Sequence, residues 1–269
     1  MKRAFLHTIL IAVVGLAASC EKVIDIPLNE ADQQVVVEAV GRSFLGESYV
    51  LLSKTGTVYD DTGFEKRSGA TVTVTDKDGV ETTFTEDPLQ LGRYVAPTFQ
   101  TTANNSYDLR VVLSDGEVLT ASSTTNSIPV LDSLSFIQQN GGFGGFTDDT
   151  TFLVFYSFTD NGAEENFYRI RAWVNGEADN NYYIGNDVLG NGKPTTAPLF
   201  ATESESKDTV YVELLSIDED TYTYMLTLSN NISQGAFSAT PANPVSNIEG
   251  GGIGYFGAYT IDTATIIMP

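Results

Sequence analysis

The chain has 269 residues, with 14 Lys and Arg against 35 Asp and Glu, and a formal charge of −21. That sign excludes nucleic acid as a partner and charge-driven docking on anionic lipid heads, while 42% hydrophobic and 11% aromatic residues mark a globular chain. Its one histidine, His7, and its one cysteine, Cys20, both precede the body of the chain, which therefore lacks Ser-His-Asp and Cys-His catalysis, histidine-ligated zinc and disulfides.

Lys2 and Arg3 open the chain, an apolar stretch runs from Ala4 to Leu16, and Ala17-Ala18-Ser19 lead into Cys20. These are the charged, apolar and small-residue parts of an export signal. The apolar part, interrupted by His7 and Thr8, falls short of the ~20 residues of a membrane span. The order resembles a bacterial lipobox, in which Cys20 is acylated and becomes the first mature residue, with the departure that Leu16 stands four rather than three positions ahead of it. Acyl chains contribute about 0.8 kcal/mol per buried methylene, and two of them anchor stably. Residues 1–19 are thus expected to be a lipoprotein signal peptide, and residues 20–31, containing Pro27, a lipidated tether.

From there the chain is short runs of Val, Thr, Tyr and Phe between Gly, Asn and Asp, with no sustained helical period. The expectation is all-β: two immunoglobulin-like or fibronectin-like β-sandwiches, over residues 32–126 and 127–269. In the first, Val35 to Val40 and Tyr49 to Leu52 read as strands. Ala70 to Thr75 alternates Val72 and Val74 with threonines. Asp76-Lys77-Asp78-Gly79 turns it back into Glu81 to Thr85. Gly92 to Val95 follows, and Tyr107 to Leu113 and Val118 to Ser123 form a hairpin about Asp115-Gly116. Seven strands in about 90 residues is the size of one such sandwich.

Residues 126–135 read as a linker running into the next strand, followed by the Gly-rich loop Gly141 to Phe146. Phe152 to Phe158 is apolar on both faces and is expected to be a central strand. Asn166 to Asn175 carries Tyr168, Ile170, Ala172 and Val174 on one face and Phe167, Arg169, Arg171 and Trp173 on the other. Asn186 to Thr202 reads as a loop, and Val210 to Leu215 and Thr221 to Leu228 as strands. Residues 229–248 read as a short helix or a long crossing loop. Ile253 to Tyr259 and Thr263 to Met268 are expected to close the second sandwich.

Several of these segments resemble a known family. They are Cys20-Glu21-Lys22-Val23-Ile24-Asp25-Ile26, Ser68-Gly69-Ala70-Thr71-Val72-Thr73-Val74, Gly92-Arg93-Tyr94, Ser106 to Val111, Asp160 with Glu164 to Arg171, and Gly254 to Tyr259. In this order they are similar to a large group of Bacteroidota outer-membrane lipoproteins classed as a domain of unknown function. Members commonly accompany TonB-dependent transporters and have no assigned catalytic site. The resemblance implies an accessory or ligand-binding role at the outer membrane and supplies no functional residue to carry over.

Asp76 to Gly79 begins like a calcium loop but lacks its third acid and its closing glutamate, so a plain turn is expected. Asp148, Asp149, Asp160, Glu164, Glu165, Asp218, Glu219 and Asp220 lie in or beside expected turns of the second domain, where hard oxygen ligands would gather on calcium if two turns met. No other cofactor is expected. Trp173, Tyr182, Tyr183, Tyr222 and Tyr224 offer an aromatic platform for a glycan or peptide, against the alternative of strand core and cross-strand pairs. Phe143 and Phe146, on flexible glycines, suit a partner contact. Asp132-Ser133-Leu134, Asp208-Thr209-Val210 and Asp262-Thr263-Ala264 resemble O-glycan acceptors.

The leading expectation is a non-catalytic lipoprotein anchored to the outer membrane, at its cell-surface rather than its periplasmic face, serving a transporter as an accessory or ligand-binding module. The alternative is a free-standing glycan-binding adhesin. A carboxylate-based hydrolase is the third reading, although no spacing picks out an acid and a nucleophile.

Overall fold

Alternation of apolar with small polar residues produces the strands of the first half almost where the sequence puts them. The structure, a computed structural model, describes residues 32–56, 63–140, 150–233 and 243–269. The expected signal peptide, Cys20 and the tether lie outside the described residues. The first seven strands are β1 (Val35–Gly41), β2 (Tyr49–Lys54), β3 (Thr71–Asp76), β4 (Glu81–Glu86), β5 (Arg93–Val95), β6 (Asn105–Val112) and β7 (Val118–Thr125). The turn at Asp76 is a plain one: its carboxylate accepts the amides of Asp78 and Val80 at 3.0 and 2.9 Å, and Gly79 takes φ 80°, which a β-carbon would oppose.

The second half runs β8 (Leu131–Asn140), β9 (Thr150–Thr159), β10 (Phe167–Val174), β11 (Glu177–Ala178), β12 (Tyr183–Asn186), β13 (Pro194–Ser204), β14 (Thr209–Ile217), the helix α1 (Glu219–Ser233), β15 (Ile253–Ala258) and β16 (Thr260–Ile267). Strand β9 is central, between β13 and β8, as its two apolar faces require. The segment Asn186 to Thr202, expected to be a loop, instead supplies most of β13. Its prolines are tolerated because β13 is an edge strand with a register shift between Pro198 and Glu203.

Thr221 to Leu228, expected to be a strand, is helical. Asp218 caps it, accepting the Thr221 amide at 2.8 Å, and Glu219 and Asp220 stand in the first turn, where the helix dipole favours acids. The Thr-Tyr alternation mimics a strand. In the helix, Thr221 and Met225, four apart, are the buried pair.

The two closing strands do not stay together. β15 pairs parallel with β1, Val37 opposite Gly254 and Gly41 opposite Ala258, while β16 pairs antiparallel with β14. Among the described residues the first sheet therefore has eight strands in the order β15-β1-β2-β5-β4-β3-β6-β7. Its two ends meet: Ser123 of β7 accepts the Ala258 amide at 2.8 Å, and Thr120 and Glu249 form an isolated bridge. A boundary at 126/127 thus separates most of the strands, but the second half returns one strand to the first sandwich, and Gln33–Pro269 is a single compact unit.

Three cores result. Val37, Leu52, Val72, Tyr94, Leu109 and Phe256 fill the first sandwich. Val154, Phe158, Ile170, Val212, Leu214 and Leu199 fill the second, between the β11-β10-β14-β16 sheet and the β13-β9-β8 sheet. The third joins β1, β10, β14, β15 and α1 through Val40, Phe167, Leu215, Met225, Tyr255 and Tyr259. Among the described residues no helix is long and apolar enough to cross a membrane.

Candidate functional site

The two faces of β10 separate as alternation dictates. Tyr168, Ile170 and Ala172 enter the second core. Phe167, Arg169, Arg171 and Trp173 face the other way, and there the strand meets β1, β15 and α1. Between these elements lies a cavity of about 190 Å³, lined by Glu38, Tyr49, Arg169, Arg171, Tyr182, Tyr224, Tyr255 and Tyr259 together with apolar Val40, Met225 and Leu228.

Arg169 lies 5.5 Å from the centre of the Tyr182 ring, an attraction between cation and π-face. No carboxylate of the described residues comes within ion-pair distance of it. Arg171 faces Glu213 at 3.8 Å and stacks against Trp173 at 4.7 Å. Glu213, whose side chain is 5% exposed, is already engaged by Arg42 at 2.6 Å. Burial, then the like charge of Arg169, hold the Arg171 guanidinium below its ordinary pKa. Glu38 accepts the Tyr49 hydroxyl at 2.8 Å. Burial first and the Glu38 charge second raise the Tyr49 pKa. The Tyr255 hydroxyl is pushed up chiefly by burial. That of Tyr259 is pushed up to about 12, again by burial, with Arg169 opposing. The Tyr259 hydroxyl is buried beside that of Tyr255. It packs against Gly257, where a β-carbon would fall 2.8 Å from that oxygen and 2.7 Å from Thr221 Oγ1. These hydroxyls are neutral donors at ordinary pH.

The expected aromatic platform is divided. Tyr182 and Tyr224 reach the cavity, and Tyr224 stacks on Tyr255 at 4.6 Å. Tyr222 packs on Phe167 at 5.1 Å beside it. Tyr183, one residue on from Tyr182, turns to the second core and donates to Asp179 at 2.8 Å. Trp173 pairs across the strands with Tyr211 at 5.4 Å. Tyr182 and Tyr183 do border one open groove of about 380 Å³, with Phe200 and Ile232. Arg169 and Arg171 were not singled out as site residues by sequence reading; two cations on one strand face of a strongly acidic chain were the available signal.

The calcium candidates do not converge. Asp148 and Asp149 lie outside the described residues, as do Phe143 and Phe146. Asp160 accepts the Tyr168 hydroxyl at 2.7 Å and the Gly192 amide at 2.6 Å, tying two loops together. Asp218 accepts Ser123 Oγ at 2.5 Å as well as capping α1. Glu164 accepts Ser127 Oγ and Asn161 Nδ2, and the Glu165 carbonyl accepts Asn126 Nδ2. Glu219 is exposed, and Asp220 lines an open polar trough of about 710 Å³ with Glu81, Asp108, Arg110 and Glu249. Burial, then Asp218 and Glu219, raise the Asp220 pKa. Among the described residues no three metal-ligating side chains group together.

No curated protein matches the sequence. Among solved structures, the FN1–FN3 domains of chicken CNTN1 align over 87% of this chain and 66% of that one, at 14% identity and a TM-score of 0.25. The model of one family matches residues 21–265, so the chain belongs to the family described as Domain of unknown function (DUF4249).

Proposed function

We propose that this protein is a non-catalytic ligand-binding lipoprotein, held at the outer membrane through an acylated Cys20 and presenting its sandwiches at the cell surface to serve a TonB-dependent transporter. One observation carries the binding part: the cavity at the junction of the two sandwiches, where Arg169 and Arg171 meet five tyrosines. Polar groups converging in a recess built on strands are what a small-molecule site requires. The anchor and the membrane follow from the Lys2 to Cys20 signal, and the transporter from the family resemblance.

The experiment is co-purification of the full-length lipidated protein from detergent-solubilised membranes. A transporter in stoichiometric amount is expected, and repeated recovery of the protein alone overturns that part. Cys20→Ser should abolish radiolabelled palmitate incorporation, and protease shaving of intact cells should remove the body of the chain. A second reading, a free-standing glycan-binding protein, draws on the open groove beside Tyr182, Tyr183 and Phe200. Glycan-array binding lost in Tyr182→Ala together with Tyr183→Ala would favour it.

A further inference from the structure

We infer that the cavity between the sandwiches takes a free α-amino acid, its carboxylate on Arg169 and Arg171 and its ammonium toward Glu38. This rests on the ligand-binding reading above and names the class of ligand.

Size limits the choice first. A cavity of about 190 Å³ holds roughly six waters and falls below the about 300–1,000 Å³ of drug-sized pockets. A space of that size suits one amino acid better than an oligosaccharide or a peptide chain.

Charge limits it next. In a chain with 35 acids to 14 bases, an arginine recessed among aromatic rings would ordinarily find a carboxylate, because a desolvated charge without a counter-charge is costly. Among the described residues Arg169 has only the Tyr182 ring. Arg171 has only a share, at 3.8 Å, of a glutamate that Arg42 already holds at 2.6 Å. Arg42 also holds Glu47 at 2.9 Å, so Glu213 is shared between Arg42 and Arg171. What the wall leaves without an ion-pair partner among the described residues is one guanidinium, Arg169, and one carboxylate, Glu38, the two charges that a zwitterion would match. The planar guanidinium fork matches a carboxylate in two parallel hydrogen bonds.

Glu38 then decides between anions. It would repel a phosphate dianion, whereas an ammonium satisfies it. One of its oxygens is occupied by the Tyr49 hydroxyl, and the other accepts no hydrogen bond from the described residues. Apolar Val40, Met225 and Leu228 border the space left for a side chain.

The test is a thermal-shift screen of the purified chain with the common L-amino acids, followed by calorimetric titration of the best binder, its amide and its deaminated acid. The amide lacks the anionic carboxylate and is expected to bind about 10- to 100-fold more weakly, as loss of a charge-assisted contact predicts. The deaminated acid should bind about 10-fold more weakly. Arg169→Gln should weaken the parent amino acid about 10- to 100-fold with an unchanged unfolding midpoint in the absence of ligand. Glu38→Gln should erase the difference between the amino acid and its deaminated acid, a result that mere structural damage would not produce.

An amide that binds as well as its acid, or a screen in which no amino acid binds, overturns the inference. Neutral disaccharides run in the same assay separate the two levels. A saccharide that binds and is lost in Arg169→Gln, a residue of the cavity and not of the open groove, overturns the amino-acid class and leaves the ligand-binding reading standing. Absence of every ligand together with recovery of the protein without a transporter brings down both.

Discussion

Arg42 and Glu213 are 171 positions apart in the chain and 2.6 Å apart in space. Each is almost fully buried, with side chains 7% and 5% exposed. Removing one member of such a pair leaves the other's charge desolvated, which costs more than losing both. Arg42→Met should therefore destabilise the protein by about 3 kcal/mol, and adding Glu213→Leu should restore a substantial part, both measured by urea unfolding. Glu86 makes a smaller, pH-dependent contribution. Its carboxylate accepts the Gly92 amide at 2.8 Å, Ser68 Oγ at 2.6 Å and the Gly69 amide at 3.0 Å. These bonds, the Gly92 amide foremost, hold its pKa below the ordinary 4.5. A depressed carboxylate stabilises the fold fully above its unfolded pKa, and that contribution disappears as pH falls through the lowered folded value. Glu86→Gln should accordingly lose stability at neutral pH and show a flatter decline on acidification below about pH 4.5, read as midpoints of urea unfolding across the acid range. Much of the cavity wall was legible at this scale: alternation placed Arg169 and Arg171 together, and Tyr182 and Tyr224 stood out as aromatics. That this wall faces a cavity was not, because Glu38, Tyr255 and Tyr259 come from strands whose neighbours no local pattern specifies.

Among the elements, strand periodicity carried β1 to β7, β9 and β10 because each buries one face in two-residue alternation or, like β9, both faces, whereas β8 (Leu131–Asn140), whose first half was read as linker, is a largely exposed edge strand with no alternating buried face to mark it. It failed at α1 and β13 for opposite reasons. In α1 the order Thr221-Tyr222-Thr223-Tyr224 has β propensity and apparent alternation. Helix is selected there by the Asp218 cap and by packing of Met225, Tyr222 and Tyr224 on the third core. In β13 the prolines and polar residues signal a loop, yet an edge strand with a register shift accommodates both. Asp218 concentrates two duties, since it caps α1 and accepts Ser123 Oγ and the Thr124 amide of β7. Asp218→Ala should cost about 2 kcal/mol, the upper end for a cap, while Asp218→Asn, a comparable cap, should retain most of it. Chemical denaturation followed by far-ultraviolet circular dichroism measures both. Gly254 is the tighter constraint. It has φ 115°, and a β-carbon there would fall 2.0 Å from the Val37 carbonyl oxygen. Gly254→Ala must separate β15 from β1, so loss of soluble folded protein on expression is the expected outcome.

The molecule as a whole is tied together by that same strand. β15 comes from the last part of the chain, yet it forms the end of the first sheet and delivers Phe256 and Ala258 to the first core. One edge of β15 is paired with β1 in parallel. The other is satisfied by side chains, with Asn247 bonding the Phe256 amide and carbonyl at 2.9 and 2.8 Å and Ser123 accepting the Ala258 amide. Thr101 donates to the Tyr259 carbonyl at 2.5 Å, and Arg42 reaches into the second sandwich. A fragment spanning residues 33–126 contains every strand of a seven-stranded sandwich by sequence, and by that criterion alone it should fold. The topology predicts the reverse. Without β15 the backbone edge of β1 is bare, Val37 and Ala39 lose their cover, and buried Arg42 loses Glu213. An exposed apolar strand edge invites aggregation rather than folding. The fragment should therefore show poor amide dispersion by nuclear magnetic resonance and no cooperative thermal transition. In residues 33–269, by contrast, fluorescence of Trp173, the only tryptophan of the chain and a resident of the second sandwich, should change at the same urea concentration as far-ultraviolet circular dichroism, which reports both sandwiches. Coincidence is the mark of one cooperative unit. Two separated transitions, or a folded 33–126 fragment, would mean that β15 decorates a self-sufficient first sandwich rather than completing it, and the cavity built between β1, β10, β15 and α1 would then be free to open without unfolding either half.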